Sequence, residues 1–127
     1  MLFSHVMVGT NDINKARAFY DALFAIIGAE SSRVDAKGRC IWSKDGQRFL
    51  LGAPIDGESA TSANGGTIGF LLPSCEAVDE WHKQGVALGG EAIESPPGIR
   101  ETPAGKKYLA YLRDLDGNKL CAFFPVE

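Results

Sequence analysis

Lys44-Asp45-Gly46-Gln47-Arg48-Phe49-Leu50 returns near the end of the chain as Leu115-Asp116-Gly117-Asn118-Lys119-Leu120-Cys121. Each copy is a tight turn running into a strand. The Asp45-Gly46 pair supplies the left-handed backbone that a two-residue hairpin needs, and Asp114 to Gly117 reads as a type I turn closed by a left-handed glycine. Working outward, each copy follows another apolar strand, Arg39 to Ser43 in the first case and Lys107 to Arg113 in the second. Further upstream lie the short segments Ser31 to Val34 and Glu91 to Ser95, and Asn118 to Phe124 completes the last hairpin. The repeat extends back to the beginning of each half, where His5-Val6-Met7-Val8 matches Thr67-Ile68-Gly69-Phe70.

Between these strands the period changes from two to that of a helix. Ile13, Ala16, Phe19, Tyr20, Leu23, Phe24 and Ile27 fall on one helical face, with Asp12 as N-cap and Gly28 as C-cap. In the second half Ser74 is the N-cap, and Val78, Trp81, His82 and Val86 mark the inner face. The first strand is expected over Leu2 to Val8 and the fifth over Thr67 to Leu72. Pro96 to Gly105, with three prolines, is expected to be a long loop that serves as a lid or a dimer contact. The order is βαβββ twice. It predicts an α+β fold of two tandem modules, whose eight strands form an open, barrel-like cleft with the helices outside. One domain is expected over 1–127: module one at about 1–53, a Gly/Ser/Ala-rich linker at about 54–66, and module two at about 67–127.

Composition narrows the function classes. The 127 residues carry 13 Lys+Arg against 16 Asp+Glu, a net charge of −3, and the basic residues are scattered. A phosphate-backbone binder needs a basic cluster, so nucleic acid is not an expected partner. No apolar run reaches the roughly 18–20 residues of a membrane-spanning helix, since Asp21 interrupts the stretch Ala18 to Ala29. The start has no basic, signal-like region, and three cysteines are too few for a disulfide scaffold. These features predict a soluble, cytoplasmic protein without membrane contact.

Strand alternation divides the chemistry. Val6, Val8, Ile68, Phe70, Leu120 and Ala122 fall on purely apolar faces, toward the helices. His5 shares the other face with Phe3 and Met7, and Cys121 shares it with Lys119 and Phe123. These mixed faces would line the cleft.

The repeat, with Asp12 to Tyr20 in the first helix and Arg113 to Leu120 in the last hairpin, resembles the glyoxalase / bleomycin-resistance / extradiol-dioxygenase family, also called vicinal oxygen chelate proteins. The resemblance covers essentially the whole chain. It implies a divalent metal in the cleft, chelating neighbouring oxygens of a substrate. It also implies ligand positions at His5, Leu50, Thr67 and Cys121, where the family usually has His at the place of Thr67 and Glu at that of Cys121. A working centre needs at least three imidazole, carboxylate or thiolate donors. Here there is one imidazole, one thiol, one neutral hydroxyl and a leucine. If His5, Thr67 and Cys121 hold a metal, zinc suits them best, but the donor set predicts no resident metal.

The remaining candidates are weighed residue by residue. Trp42, Arg48, Tyr108 and Tyr111 are expected to form an aromatic pocket with one cationic anchor; a glycine-bulged turn would set Tyr111 opposite Cys121, and a turn without the bulge would set Ala110 there. His5 and Cys121 would form a Cys/His pair if they meet, and a small buried filler is the alternative for Cys121. Cys75 lies in the first turn of the second helix, Cys40 in a strand core, and Arg100 in the proline loop. The function expected is a glyoxalase/bleomycin-resistance-like protein with a degenerate metal site that binds a small molecule in the cleft, as a homodimer. The alternative is a metal-dependent, lactoylglutathione-lyase-like lyase or isomerase, or a dioxygenase, using His5 and Cys121.

Overall fold

The structure is a computed structural model and describes residues 2–126. Its first sheet comprises β1 (His5–Gly9), β2 (Arg33–Val34), β3 (Cys40–Lys44) and β4 (Gln47–Gly52), in the order β1-β4-β3-β2. The second comprises β5 (Ile68–Leu71), β6 (Glu91–Thr102), β7 (Gly105–Arg113) and β8 (Lys119–Pro125), in the order β5-β8-β7-β6. Helix α1 (Ile13–Ile27) follows β1, and α2 (Cys75–Ala87) follows β5. The sheets do not close into a barrel. Among the described residues no helix is long and apolar enough to cross a membrane.

The internal repeat shows itself as register. Both parallel pairs set equivalent residues side by side: Val6 with Phe49 and Met7 with Leu50 in the first sheet, Ile68 with Leu120 and Gly69 with Cys121 in the second. A one-residue slip in either pair would turn the apolar row out to solvent, so the hydrophobic pattern fixes both registers.

Both helices start where their caps place them. Asp12 Oδ1 accepts from Lys15 N at 3.2 Å, and Ser74 Oγ accepts from Ala77 N at 3.0 Å. Each bond satisfies a first-turn N–H that has no partner within the helix. Gly28 closes α1 at φ 93°, a conformation that disfavours any side chain. Asp12→Ala and Ser74→Ala are each expected to lower stability by about 0.5–2 kcal/mol, read from urea unfolding midpoints. Two neutral variants would mean that neither cap holds its helix start.

The apolar sheet faces and both helices share one core, in which Trp42, Trp81, Tyr20, Phe19 and Leu23 are fully buried. A buried polar latch crosses it: Tyr20 Oη, on α1, donates to Asp114 Oδ2, in the last hairpin turn, at 2.5 Å. Burial, and next the charge of Asp114, hold the Tyr20 phenol well above its ordinary value.

Three expectations need correction. Pro96 to Gly105 is not a loop, because β6 runs through to Thr102 and pairs with β7 as far as Thr102–Gly105. The register shifts between Ile93 and Gly98, so Pro96 and Pro97 sit in an irregularity of an end strand, where a missing N–H costs no ladder bond. Arg100 is spent there, donating to the carbonyls of Gly98, Ser95 and Pro96. Val86 is exposed, and Gly85 takes the inward position instead: a Cβ there would lie 2.2 Å from Leu112 Cδ1. Finally, Leu2 and Phe3 precede the first strand and are exposed.

Candidate functional site

A pocket of about 240 Å³ opens where the two sheet-ending strands, β1 and β5, approach each other. Its walls come from the beginning of β1, the end of α1, the β3–β4 hairpin and β5. The hairpin turns on Asp45 and Gly46, at φ 50° and 80°, which pairs Ser43 with Arg48. Parallel pairing then sets Arg48 beside His5. Residues paired in this way share a face, so imidazole and guanidinium lie together on the mixed side of the sheet.

The apolar lining is aromatic. Phe24 lies 5.3 Å from Trp42, 5.1 Å from Phe49 and 5.3 Å from Phe70, centroid to centroid. Phe70 meets Phe24 edge-on at 85°, a favourable arrangement of the ring quadrupoles. The Trp42 indole N–H donates to Asp21 at 2.9 Å and is thereby turned away from needing a partner in the pocket. The rim is polar. His5 is exposed, with Nδ1 2.8 Å from Ser4 Oγ. Lys44 lies 3.8 Å from the carboxylate of Asp45. Arg48 is exposed and has no side-chain hydrogen bond or ion pair among the described residues.

A second cluster lies on the mixed face of the second sheet. Cys121 is nearly buried, set in register between Gly69 and Tyr111. Burial pushes its thiol up, and a hydrogen bond with Tyr111 opposes this in part. The Tyr111 phenol is also raised, first by burial and then by Cys121. A thiol held above its ordinary value is a weak nucleophile at neutral pH. Lys119 Nζ sits 4.9 Å above the Tyr111 ring and pairs with Glu94.

The sequence candidates therefore fall in different places. His5, Trp42 and Arg48 line the pocket together. Tyr111 and Cys121 meet each other but line no part of it. Tyr108 donates instead to Asp79 Oδ1, 2.7 Å away on α2, a bond that pushes its phenol up to about 12. Thr67 is exposed just ahead of β5, and Leu50 is buried between Met7 and Ile41. Cys75 is half-buried beside its helix start, and Cys40 is buried in β3 with its thiol raised by that burial. His82 is half-buried, and burial lowers its imidazole despite a bond to the Tyr111 backbone. Sequence reasoning assigned Phe24 and Phe70 to the core alone and gave Phe49 no role. The available signal was that Phe24 and Ile27 fall at the C-terminal end of the apolar stripe of α1, and both line the pocket.

The family-ligand positions do not make a metal centre on their own chemistry. Among the described residues no group of three or more His, Cys, Asp or Glu side chains is placed to hold a metal ion. A neutral hydroxyl, an aliphatic side chain and a soft thiol do not suit a hard dication that keeps open positions for substrate oxygens.

Comparison with known proteins gives a consistent picture. The profile of the Glyoxalase/Bleomycin resistance protein/Dioxygenase superfamily matches residues 2–122. No curated protein matches the sequence. A glyoxalase/bleomycin resistance protein from Albidiferax ferrireducens T118 is 44% identical, with 98% of this chain and 99% of that one covered and a TM-score of 0.93. A lactoylglutathione lyase from Agrobacterium tumefaciens shares the fold at 24% identity and a TM-score of 0.65, covering 96% and 92% of the two chains. A glyoxalase/bleomycin resistance protein/dioxygenase family enzyme from Burkholderia phytofirmans PsJN does so at 20% and 0.71, covering 97% and 98%.

Proposed function

Since this chain belongs to the Glyoxalase/Bleomycin resistance protein/Dioxygenase superfamily, we propose that it is a small-molecule-binding member whose metal site is degenerate. The observation that carries this reading is the donor set: at the positions that the family resemblance implies for a metal, Leu50 and Thr67 offer no strong donor and Cys121 stands where a carboxylate is usual. His5 and Cys121 supply one imidazole and one thiol, below the three protein donors that catalytic zinc sites use. What the chain does offer a ligand is a concave aromatic pocket with a few polar groups at its rim, the usual form of a small-molecule site.

The protein acts as a homodimer in this reading. β2 and β6 each end a sheet away from the pocket, and Val34 and Ile99 on them are exposed. Strand edges bordered by apolar side chains favour association with a second copy. The three free cysteines fit a reducing, cytoplasmic setting. Sedimentation equilibrium is expected to give twice the chain mass at micromolar concentration, and a monomer throughout would remove the dimer.

The test of the binding reading is metal content. Protein purified without affinity metal or chelator, then equilibrated with Zn, Ni, Mn or Fe(II) and desalted, is expected to retain far less than one metal per chain by plasma mass spectrometry. About one metal per chain, lost in both His5→Ala and Cys121→Ala, would overturn the reading and restore a lyase or dioxygenase.

A further inference from the structure

From the charge and size of the β1–β5 pocket we infer that its ligand is a small aromatic or branched aliphatic carboxylate. This assignment rests on the binding reading above and names the ligand class. Size comes first: a cavity of roughly 150 Å³ lined by apolar side chains holds benzene. The pocket here is about 240 Å³, room for a ring with a short substituent. Phe24, Phe49 and Phe70, packed against one another, line the wall that such a ring would meet.

Charge decides the substituent. Arg48 and Lys44 stand at the rim with His5, and the one carboxylate there, Asp45, lies toward Lys44. Arg48 has no partner among the described residues, so its planar guanidinium is free to receive a carboxylate through two parallel N–H bonds. A neutral ligand would leave that group with water, and a cationic one would meet it with repulsion. Gln47 and Ser43 add neutral hydrogen-bonding groups beside it. The ring enters toward the aromatic cluster, and the carboxylate stays at the rim.

The probes are benzoate, phenylacetate and cyclohexanecarboxylate, each against its primary amide, titrated into the full chain by calorimetry and followed by amide chemical shifts. Two variants accompany them. Arg48→Gln removes the charge at an exposed position and should leave the melting temperature unchanged. Gly69→Ile uses a wall position where an added Cβ meets no atom within 4 Å, so the pocket is obstructed without strain in the strand. Carboxylates are expected to shift the amides of Ser43, Gln47 and Gly69 and to bind about tenfold to a hundredfold more tightly than the amides, the difference expected for a charge-assisted bond. Arg48→Gln should erase that preference, and Gly69→Ile should weaken every probe. Amides that bind as well as carboxylates, a preference that survives Arg48→Gln, or no shift of the pocket amides with any probe would each overturn the assignment. The two readings fail separately: stoichiometric metal in the wild type overturns the binding reading whatever the probes do, and indifferent probes overturn the ligand class whatever the metal content.

Discussion

Asp114→Ala is expected to cost about 3–5 kcal/mol of stability and to lower the melting temperature by roughly 10–20 °C. The carboxylate is buried and fully used. Oδ1 accepts the backbone N–H groups of Asp116 and Asn118, at 2.9 and 2.8 Å. Oδ2 accepts the Tyr20 hydroxyl and the Asn118 side-chain amide, at 2.5 and 2.9 Å. Alanine would strand four donors at once, three of them at the turn that aligns β7 with β8 and one in the centre of α1. The loss therefore has two parts: desolvated donors without acceptors, and a freed link between the first helix and the last hairpin. Tyr20→Phe removes one donor and leaves Asp114 with three, so it should cost only about 1–2 kcal/mol. Differential scanning calorimetry of the two variants measures both parts. Equal, small losses would show that the latch is replaced by water.

The same latch sets an alkaline limit. All three tyrosines, Tyr20, Tyr108 and Tyr111, and the thiols of Cys40 and Cys121 are held above their ordinary values in the folded chain. For a group raised on folding, the stabilisation is complete below its unfolded value and disappears as pH climbs through the folded one. Stability should thus be flat near neutrality, begin to fall at about pH 8.5 as unfolded thiols ionise, and fall faster above about pH 10 as unfolded phenols follow. Guanidinium midpoints at pH 7, 9 and 10.5 check the sign. Tyr20→Phe should lessen the second decline, and a stability that rises with pH would contradict the assignment.

Much of this architecture was legible from local chemistry. Asp12, Ser74 and Gly28 announced helix ends because capping is settled by one or two residues. The Asp45-Gly46 turn announced its hairpin, while the Gly117 turn left two registers, of which the structure takes the one with Tyr111 opposite Cys121. What local chemistry did not reveal was pairing decided at a distance. Pro96 and Pro97 read as a loop, yet β7 lies alongside and Arg100 ties the carbonyls that the irregularity exposes. The site divided in the same way. Alternation told which face His5, Arg48 and Cys121 occupy, but not how one sheet sits against the other. Trp42 and Arg48 consequently appear in the pocket without Tyr108, whose hydroxyl is claimed by Asp79 from a helix that no strand pattern could place beside it.

If the metal site is degenerate because donors are missing, restoring them should restore metal. In a Thr67→His, Cys121→Glu double variant, His5 would again have an imidazole and a carboxylate to act with. The structure leaves space for the longer acid, since Gly69 is in register with Cys121 and the volume beyond its absent Cβ is empty within 4 Å. Without metal, the glutamate is a carboxylate in a nearly buried place beside Tyr111, so the double variant should melt below the wild type. With Zn or Ni at about a thousand times the dissociation constant, binding to the folded state alone should return about 4 kcal/mol. The wild type should show no shift with the same metals. His5→Ala in the double variant should abolish the gain, because the metal needs donors from both halves of the repeat. Uptake of about one metal per chain, with a melting temperature that rises with metal concentration, supports the view that only side chains separate this cleft from a chelating one. A double variant indifferent to metal would mean that the backbone, and not only Thr67 and Cys121, has left the chelate geometry behind.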